Sequence, residues 1–196
     1  MTSASQQPAN PQGKGLVPVL DALNALKPWI SEQKSGEAIL RDFCLSTLVL
    51  SAQFDFRVVP GRSYYLYRKS AGWQLSLISP EEWGDRCPGA WVASCDLRAD
   101  MTWGVALASH IGDDPELVAA LEGHLRGFLA RIDGADSLEA ALPLYERQLP
   151  YQQRMMATAL SSSLQTSLLM SGLSGQSGQE LLGGNAILER QPELGG

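Results

Sequence analysis

Cysteine, histidine and aspartate are the side chains of this chain that could form a nucleophilic site. Cys87 precedes a proline in a segment that reads as a loop, and a thiol there would need a neighbouring base, for which His110 is the candidate. Asp96 or Asp100 could then orient the imidazole. No motif of fixed spacing brings these residues together, so the sequence predicts no catalytic residue, and we lean towards a protein that is not an enzyme.

Metal binding requires clustered ligands, and the sequence does not supply a cluster. His110 and His124 are the only two histidines, they are far apart along the chain, and there is no Cys-x-x-Cys pair. We therefore expect no metal site and no cofactor.

Two tyrosines indicate a different chemistry, the stacking of a flat ligand. Tyr65 and Tyr67 project to the same side of an extended strand, and we expect Arg57 and Lys69 beside them. Rings next to cationic groups suit a nucleotide base or a peptide strand. The alternative is that helices cover both sheet faces and that these tyrosines are core residues.

The elements that must position these side chains form an antiparallel sheet. Apolar and polar residues alternate with a period of two, Pro60-Gly61 suits a type II turn, and Ser70-Ala71-Gly72 suits a hairpin connection. The predicted strands are Phe54–Val58, Tyr64–Lys69, Trp73–Ile78 and Trp91–Leu97. We expect an α+β fold with an antiparallel β-meander of about four strands, centred on residues 54–103 and packed by flanking N- and C-terminal helices.

A short helix is predicted after the third strand. Ser79 is a helix cap, Pro80 suits the first helical position, and Glu82 lies three residues after the cap, as a capping box requires.

Several motifs in this region occur together in one family. They are Tyr64-Tyr65-Leu66-Tyr67, the run from Ile78 to Gly84, Cys87-Pro88, and the spaced Asp100 and Trp103. Over about Arg57 to Trp103, a quarter of the chain, the sequence resembles the domain of unknown function 2452 family, which has bacterial and animal members. The animal relatives have a histidine after the Cys-Pro pair, where this chain has Gly89, so the resemblance implies no Cys-His site. The family has no established activity, and the resemblance supplies no mechanism.

Apolar residues at helical spacing predict longer helices on either side of the sheet. The predicted helices cover residues 16–27, 37–53, 115–132 and 151–170. In the last helix Met156, Leu160 and Leu164 recur every four residues beside a face of small serines. We interpret this stripe either as part of the domain's own core or as a face for a homodimer or a protein partner.

Composition sets the outer bounds of the interpretation. The 196 residues suit one domain, which we place at residues 15–170, between a disordered leader at 1–14 and a flexible tail at 171–196. A net charge of −6 makes nucleic-acid binding improbable. No apolar run is long enough to span a membrane, no secretion signal is evident, and three widely spaced cysteines suit a reducing compartment. We therefore expect a cytoplasmic protein.

Two functions remain open after these exclusions. The first is a non-enzymatic cytoplasmic interaction module, self-associating or binding a protein partner through the C-terminal helix. The second is a small-molecule or nucleotide-binding protein, conceivably an enzyme, that uses the tyrosine face together with Cys87 and Asp100. The sequence does not specify ligand, partner, pathway or oligomeric state.

Overall fold

The computed structural model describes residues 28–70, 72–141 and 149–182. The predicted leader at 1–14 and the first predicted helix at 16–27 lie outside these residues. Pro28, Trp29 and Ile30 are described and are not helical. Within the described part of the chain, no helix combines the length and the apolarity needed to cross a membrane.

The fold is a mixed α+β arrangement of one four-stranded antiparallel sheet and flanking helices, as predicted. The helices are α1 (Gly36–Leu50), α2 (Pro80–Trp83), α3 (Pro115–Asp133), α4 (Leu138–Ala141) and α5 (Tyr151–Met170). The strands are β1 (Ser63–Lys69), β2 (Gly72–Ser76), β3 (Ala90–Leu97) and β4 (Trp103–Leu107), and short 3-10 turns occupy Gly84–Arg86 and Ser109–Asp113.

The strands lie in the order β2-β1-β3-β4, and every neighbouring pair is antiparallel. The sheet therefore consists of two hairpins, β1–β2 and β3–β4, which pair with each other through β1 and β3. The strand order in the sheet differs from the order of the strands along the chain. The register between β1 and β3 shifts between Leu66 and Tyr67, so that Val92 is an extra residue on β3. The edges of the sheet are β2 and β4.

The predicted strand at Phe54–Val58 is not a strand. Gln53 forms a single parallel bridge with Gln74 of β2, after which the chain leaves the ladder. It reaches the opposite side of β1, where the Gly61 N–H donates to the Leu97 carbonyl at 3.2 Å. Phe54 and Val58 are buried while Asp55 is exposed. The period of two thus reflects an extended segment crossing the sheet, and not a strand pairing within it.

The fourth strand is β4, which the sequence analysis did not predict. It follows a tight turn at Arg98–Thr102 in which Met101 has a φ of 65°, in the left-handed region that few residues with a side chain adopt. The run Trp-Gly-Val-Ala-Leu is short and apolar, and its partner strand β3 precedes it directly in the chain.

The core lies between one face of the sheet and helices α1, α3 and α5. Aromatic rings form a connected series in it: Phe54 with Phe56, Phe56 stacked on Tyr64 at 5.7 Å, and Tyr64 edge-on to Trp103 at 5.6 Å between centroids. Helix α1 begins at its cap Ser35, whose hydroxyl accepts from the Ala38 N–H. The side chains most fully buried include Trp103, Tyr64, Phe43, Phe128, Leu160 and Leu168.

The domain continues past the predicted boundary at Met170. Residues 178–182 are helical, and Leu181 is only 3% exposed, packed against Gly36 at the start of α1. Residues 171–182, which the sequence analysis assigned to a flexible tail, therefore pack on the domain. Residues 183–196 lie outside the described residues.

Candidate functional site

The two tyrosines of the predicted ligand face have different environments. Tyr67 is fully buried, and its hydroxyl donates to the Ile78 carbonyl at 2.9 Å. Burial raises the pKa of Tyr67, and the nearby Cys87 and Glu81 act in the same direction. The segment from Ile78 to Gly89 therefore covers this end of the second sheet face, so the Tyr67 ring is not free to stack on a ligand. Tyr65 is half-buried.

The two cations predicted to lie beside the tyrosines, Arg57 and Lys69, are in different parts of the structure. Arg57 is exposed on the segment that crosses the sheet, which is not part of the second face. Lys69 does lie on that face, because β1 residues 65, 67 and 69 share a side.

Cys87 is an exposed thiol with a local contact. Its S–H donates to the Gly89 carbonyl at 3.1 Å. Among the described residues, no hydrogen bond links Cys87 to His110, Asp96 or Asp100. His110 instead lies beside the Trp91 ring, with 5.9 Å between centroids. The nucleophilic constellation considered from the sequence is therefore not assembled. A Cβ at Gly89 would lie 2.2 Å from the Arg68 carbonyl oxygen, so a histidine at this position would not fit the chain as folded.

Asp100 belongs to an ion-pair network between α1 and the β3–β4 turn. The Lys34 ammonium lies 2.6 Å from both the Asp42 and the Asp100 carboxylates, and Arg98 lies 3.0 Å from Asp42. The other Asp100 oxygen accepts from the Thr102 N–H and hydroxyl. Burial alone raises the pKa of Asp100, but the hydrogen bonds from Lys34 and Thr102 outweigh burial and lower it overall. The network accounts for Asp100 without a ligand.

The stripe predicted as a partner face lies inside the protein. Met156, Leu160 and Leu164 are each 2% exposed or less and belong to the core. Helix α5 packs against α1, so the periodicity of these residues reflects internal helix packing. Met156, Leu160 and Leu164 therefore offer no surface to a partner in this structure.

A cleft of about 1060 Å³ opens elsewhere, along the outer edge of β2. Both faces of the strand contribute to it, Gln74 and Ser76 from one and Leu75 from the other, so the cleft follows the strand edge itself. Its remaining walls come from the C-terminal end of α1, the segment 53–56, α3 and the start of α5. The other side chains that line it include Thr47, Leu50, Ser51, Phe54, Leu77, Ile78, His124, Arg131, Gln153 and Ala157.

Polar groups lie at fixed positions in the walls of the cleft. The buried Gln153 amide donates to the Ala52 carbonyl, which ties α5 to the end of α1. The buried Gln74 side-chain oxygen has no hydrogen-bond partner among the described residues. These groups leave hydrogen-bonding capacity in an otherwise largely apolar cleft.

His124 is held in one orientation at the wall of the cleft. Its Nε2 lies 3.0 Å from the Cys44 carbonyl oxygen and 3.3 Å from the Thr47 hydroxyl. A carbonyl oxygen only accepts, so Nε2 carries the proton. Burial lowers the pKa of His124, the bond to Cys44 opposes this shift, and the charge of Arg131 lowers the pKa further. The imidazole is therefore neutral at neutral pH.

Metal chemistry finds no support in the part of the chain that the structure describes, which contains no group of three or more His, Cys, Asp or Glu side chains placed to hold an ion. The cleft residues Thr47, His124, Arg131 and Gln153 were not predicted as a site. They lie on three helices far apart in sequence, and no local spacing brings them together.

The structure is an α+β protein with a four-stranded antiparallel sheet and a cleft at one sheet edge. The model of the family described as "Protein of unknown function (DUF2452)" matches residues 25–120. This match confirms the family resemblance and extends it from the sheet to α1 and the beginning of α3. No solved structure matches the chain.

Proposed function

We propose that the protein is a non-enzymatic interaction module that holds its partner in the cleft along β2. The observation that supports this function is the cleft itself, with an apolar interior between Leu50 and Leu77 and polar groups around it. Its volume of about 1060 Å³ is at the upper limit of small-molecule sites, which enclose roughly 300–1,000 Å³. A segment of a macromolecule fits such a cleft better than a single small molecule.

The small-molecule alternative has less support. It requires a cavity that brings Tyr65, Cys87 and Asp100 to one ligand, and none of the three lines the cleft. Tyr67, the ring that would complete the site, is buried under residues 78–89.

The proposal is tested by blocking the cleft and comparing what co-purifies with the protein from its host. Ser51 is exposed at the end of α1 and lines the cleft, so Ser51→Trp fills it from the rim. Gln165→Trp adds the same ring to an exposed position of α5 outside the cleft and is the matched control. We expect partners that are lost from Ser51→Trp and retained by Gln165→Trp, measured by quantitative mass spectrometry. Identical sets of co-purifying proteins for wild type, Ser51→Trp and Gln165→Trp would reject the proposal.

A further inference from the structure

The outer edge of β2 carries backbone groups that are placed to accept another strand. The Gln53 N–H donates to the Trp73 carbonyl at 2.9 Å, and the Leu75 N–H donates to the Gln53 carbonyl at 3.1 Å. The backbone groups of residues 73 and 75 therefore point away from β1. β2 ends at Ser76 and the chain bends at Leu77, so an added strand that continued the ladder would reach the Leu77 N–H as its next donor.

Gln53 occupies only the first position of this edge. Beyond it the chain departs towards Phe54, and neither the Leu75 carbonyl nor the Leu77 N–H has a hydrogen-bond partner among the described residues. Both residues line the cleft. An unpaired acceptor on β2 and an unpaired donor directly after the strand are groups with which an added extended segment can pair.

The side chains beside this edge suit an extended segment in which apolar residues alternate with polar ones. Leu77 is 36% exposed and Ile78 is 39% exposed, so apolar surface continues past the end of β2. Phe54 and Leu50 line the cleft on the helix side. Apolar side chains of an added strand would pack on these residues, and the alternate side chains would face its polar groups.

The charge of the cleft is opposite to that of the whole chain. The protein has a formal net charge of −6, whereas the charged side chains among the described lining residues are two cations, Lys69 and Arg131, and one carboxylate, Asp55. Lys69 lies on β1 and Arg131 on α3, so positive charge flanks the cleft on two sides. Electrostatic complementarity favours an acidic occupant.

We propose that the cleft binds an extended acidic peptide segment of a partner protein as an additional strand on the outer edge of β2, paired with the Leu75 carbonyl and the Leu77 N–H. This inference rests on the proposed function and specifies the chemical class of the partner and its mode of binding.

The test is selection of short peptides from a random display library against the full-length folded protein, followed by affinity measurements on variants. Leu77→Pro removes the edge N–H, and Leu77→Ala removes the side chain but keeps the N–H, so the difference between them isolates the backbone bond. Lys69→Gln and Arg131→Gln each remove one charge. Ser51→Trp blocks the cleft, Gln165→Trp is the control outside it, and thermal unfolding verifies that every variant is folded.

We expect the selected peptides to be enriched in Asp and Glu. Their affinity should fall about tenfold further in Leu77→Pro than in Leu77→Ala, and several-fold in each charge variant, with a steep dependence on salt. Binding should vanish in Ser51→Trp and be unchanged in Gln165→Trp.

Three kinds of result would overturn the inference, and they differ in what they leave standing. If Ser51→Trp abolishes binding but the two Leu77 variants are equal, strand addition is wrong, and if the selected peptides are not acidic, the acidic class of the partner is wrong; in both cases a binding cleft stands. If binding is indifferent to Ser51→Trp, both the inference and the cleft as a peptide site are overturned. If no peptide is selected, the inference is overturned, and the co-purification experiment still decides the proposed function.

Discussion

At the residue scale, Asp42 shows how the protein accommodates a buried carboxylate. It lies on α1, is 5% exposed, and is neutralised by Lys34 and Arg98. The Ser46 hydroxyl, one turn later, donates to the Asp42 carbonyl and accepts from the Trp103 N–H at 2.9 Å. The Arg98–Asp42 ion pair joins α1 to the turn that precedes β4, and the bond from the Trp103 N–H joins α1 to β4 itself. Since an unpaired buried charge is costly, the members of this network stabilise the fold together.

Asp100→Asn tests this network. Lys34 loses one of its two carboxylate partners, so the free energy of unfolding at neutral pH should fall by about 1–3 kcal/mol. The pKa of Asp100 is lowered from its usual 3.8, so its contribution is present above about pH 4 and is lost as the pH falls through the folded-state pKa. Burial alone lowers the pKa of Lys34, but its bonds to Asp100 and Asp42 raise it overall from 10.5, so the lysine contribution is lost only in strong alkali.

Denaturant unfolding of wild type and Asp100→Asn at several pH values measures this difference, with the exposed Asp85→Asn as control. The gap between wild type and Asp100→Asn should be constant near neutrality and narrow below about pH 4. A gap that widens in acid would contradict the assignment.

The three cysteines should differ in reactivity. Burial raises the pKa of Cys95 to about 12 and also raises that of Cys44, so neither thiol is ionised at neutral pH, whereas Cys87 is exposed. An alkylating probe followed by peptide mass spectrometry should find Cys87 modified first, and the other two only after unfolding. Equal rates for all three in the folded protein would contradict the described burial.

At the element scale, local sequence patterns predicted which helices and strands form more accurately than they predicted which segments pair with one another. The capping box at Ser79, the strand β3 and the helix α1 follow from neighbouring residues, and all are present. The segment Phe54–Val58 has the alternation of a strand, but an alternating pattern records only which side chains are buried. Whether a segment pairs depends on where the chain must go next.

The two sheet faces could not be distinguished from the sequence for a similar reason. Tyr65 and Tyr67 are equivalent in a pattern of period two, yet only Tyr67 is fully buried, because residues 78–89 fold over it. The cleft was also beyond prediction, since His124 and Gln153 approach the edge of β2 only after the helices have packed.

Met156→Glu tests the internal position of the α5 stripe. A carboxylate at this position would be buried in the hydrophobic core, so we expect a loss of about 3–5 kcal/mol of unfolding free energy. Gln165→Glu places the same charge on the exposed side of α5 and should change stability by less than about 0.5 kcal/mol. Denaturant unfolding measures both. A stable, folded Met156→Glu protein with a smaller mass in light scattering would instead restore the partner face.

At the scale of the whole molecule, the described residues cover one face of the sheet and only part of the β2 edge. Helices α1 and α5 pack together, and α1 also packs against β4. At the opposite edge, Gln53 pairs with β2 at one position and then leaves it. The cleft arises there because the crossing segment 54–58 takes the chain away from the strand, which leaves charged side chains and backbone groups without a partner among the described residues beside it.

Amide hydrogen exchange of the free protein, followed residue by residue by NMR, tests the open edge most directly. The Leu75 amide donates to the Gln53 carbonyl and should exchange slowly, whereas the Leu77 amide, just past the end of β2, has no hydrogen-bond partner among the described residues and should exchange rapidly. Protection of Leu77 as strong as that of Leu75 would show that the edge is already paired, and it would contradict the site on which the proposed function rests.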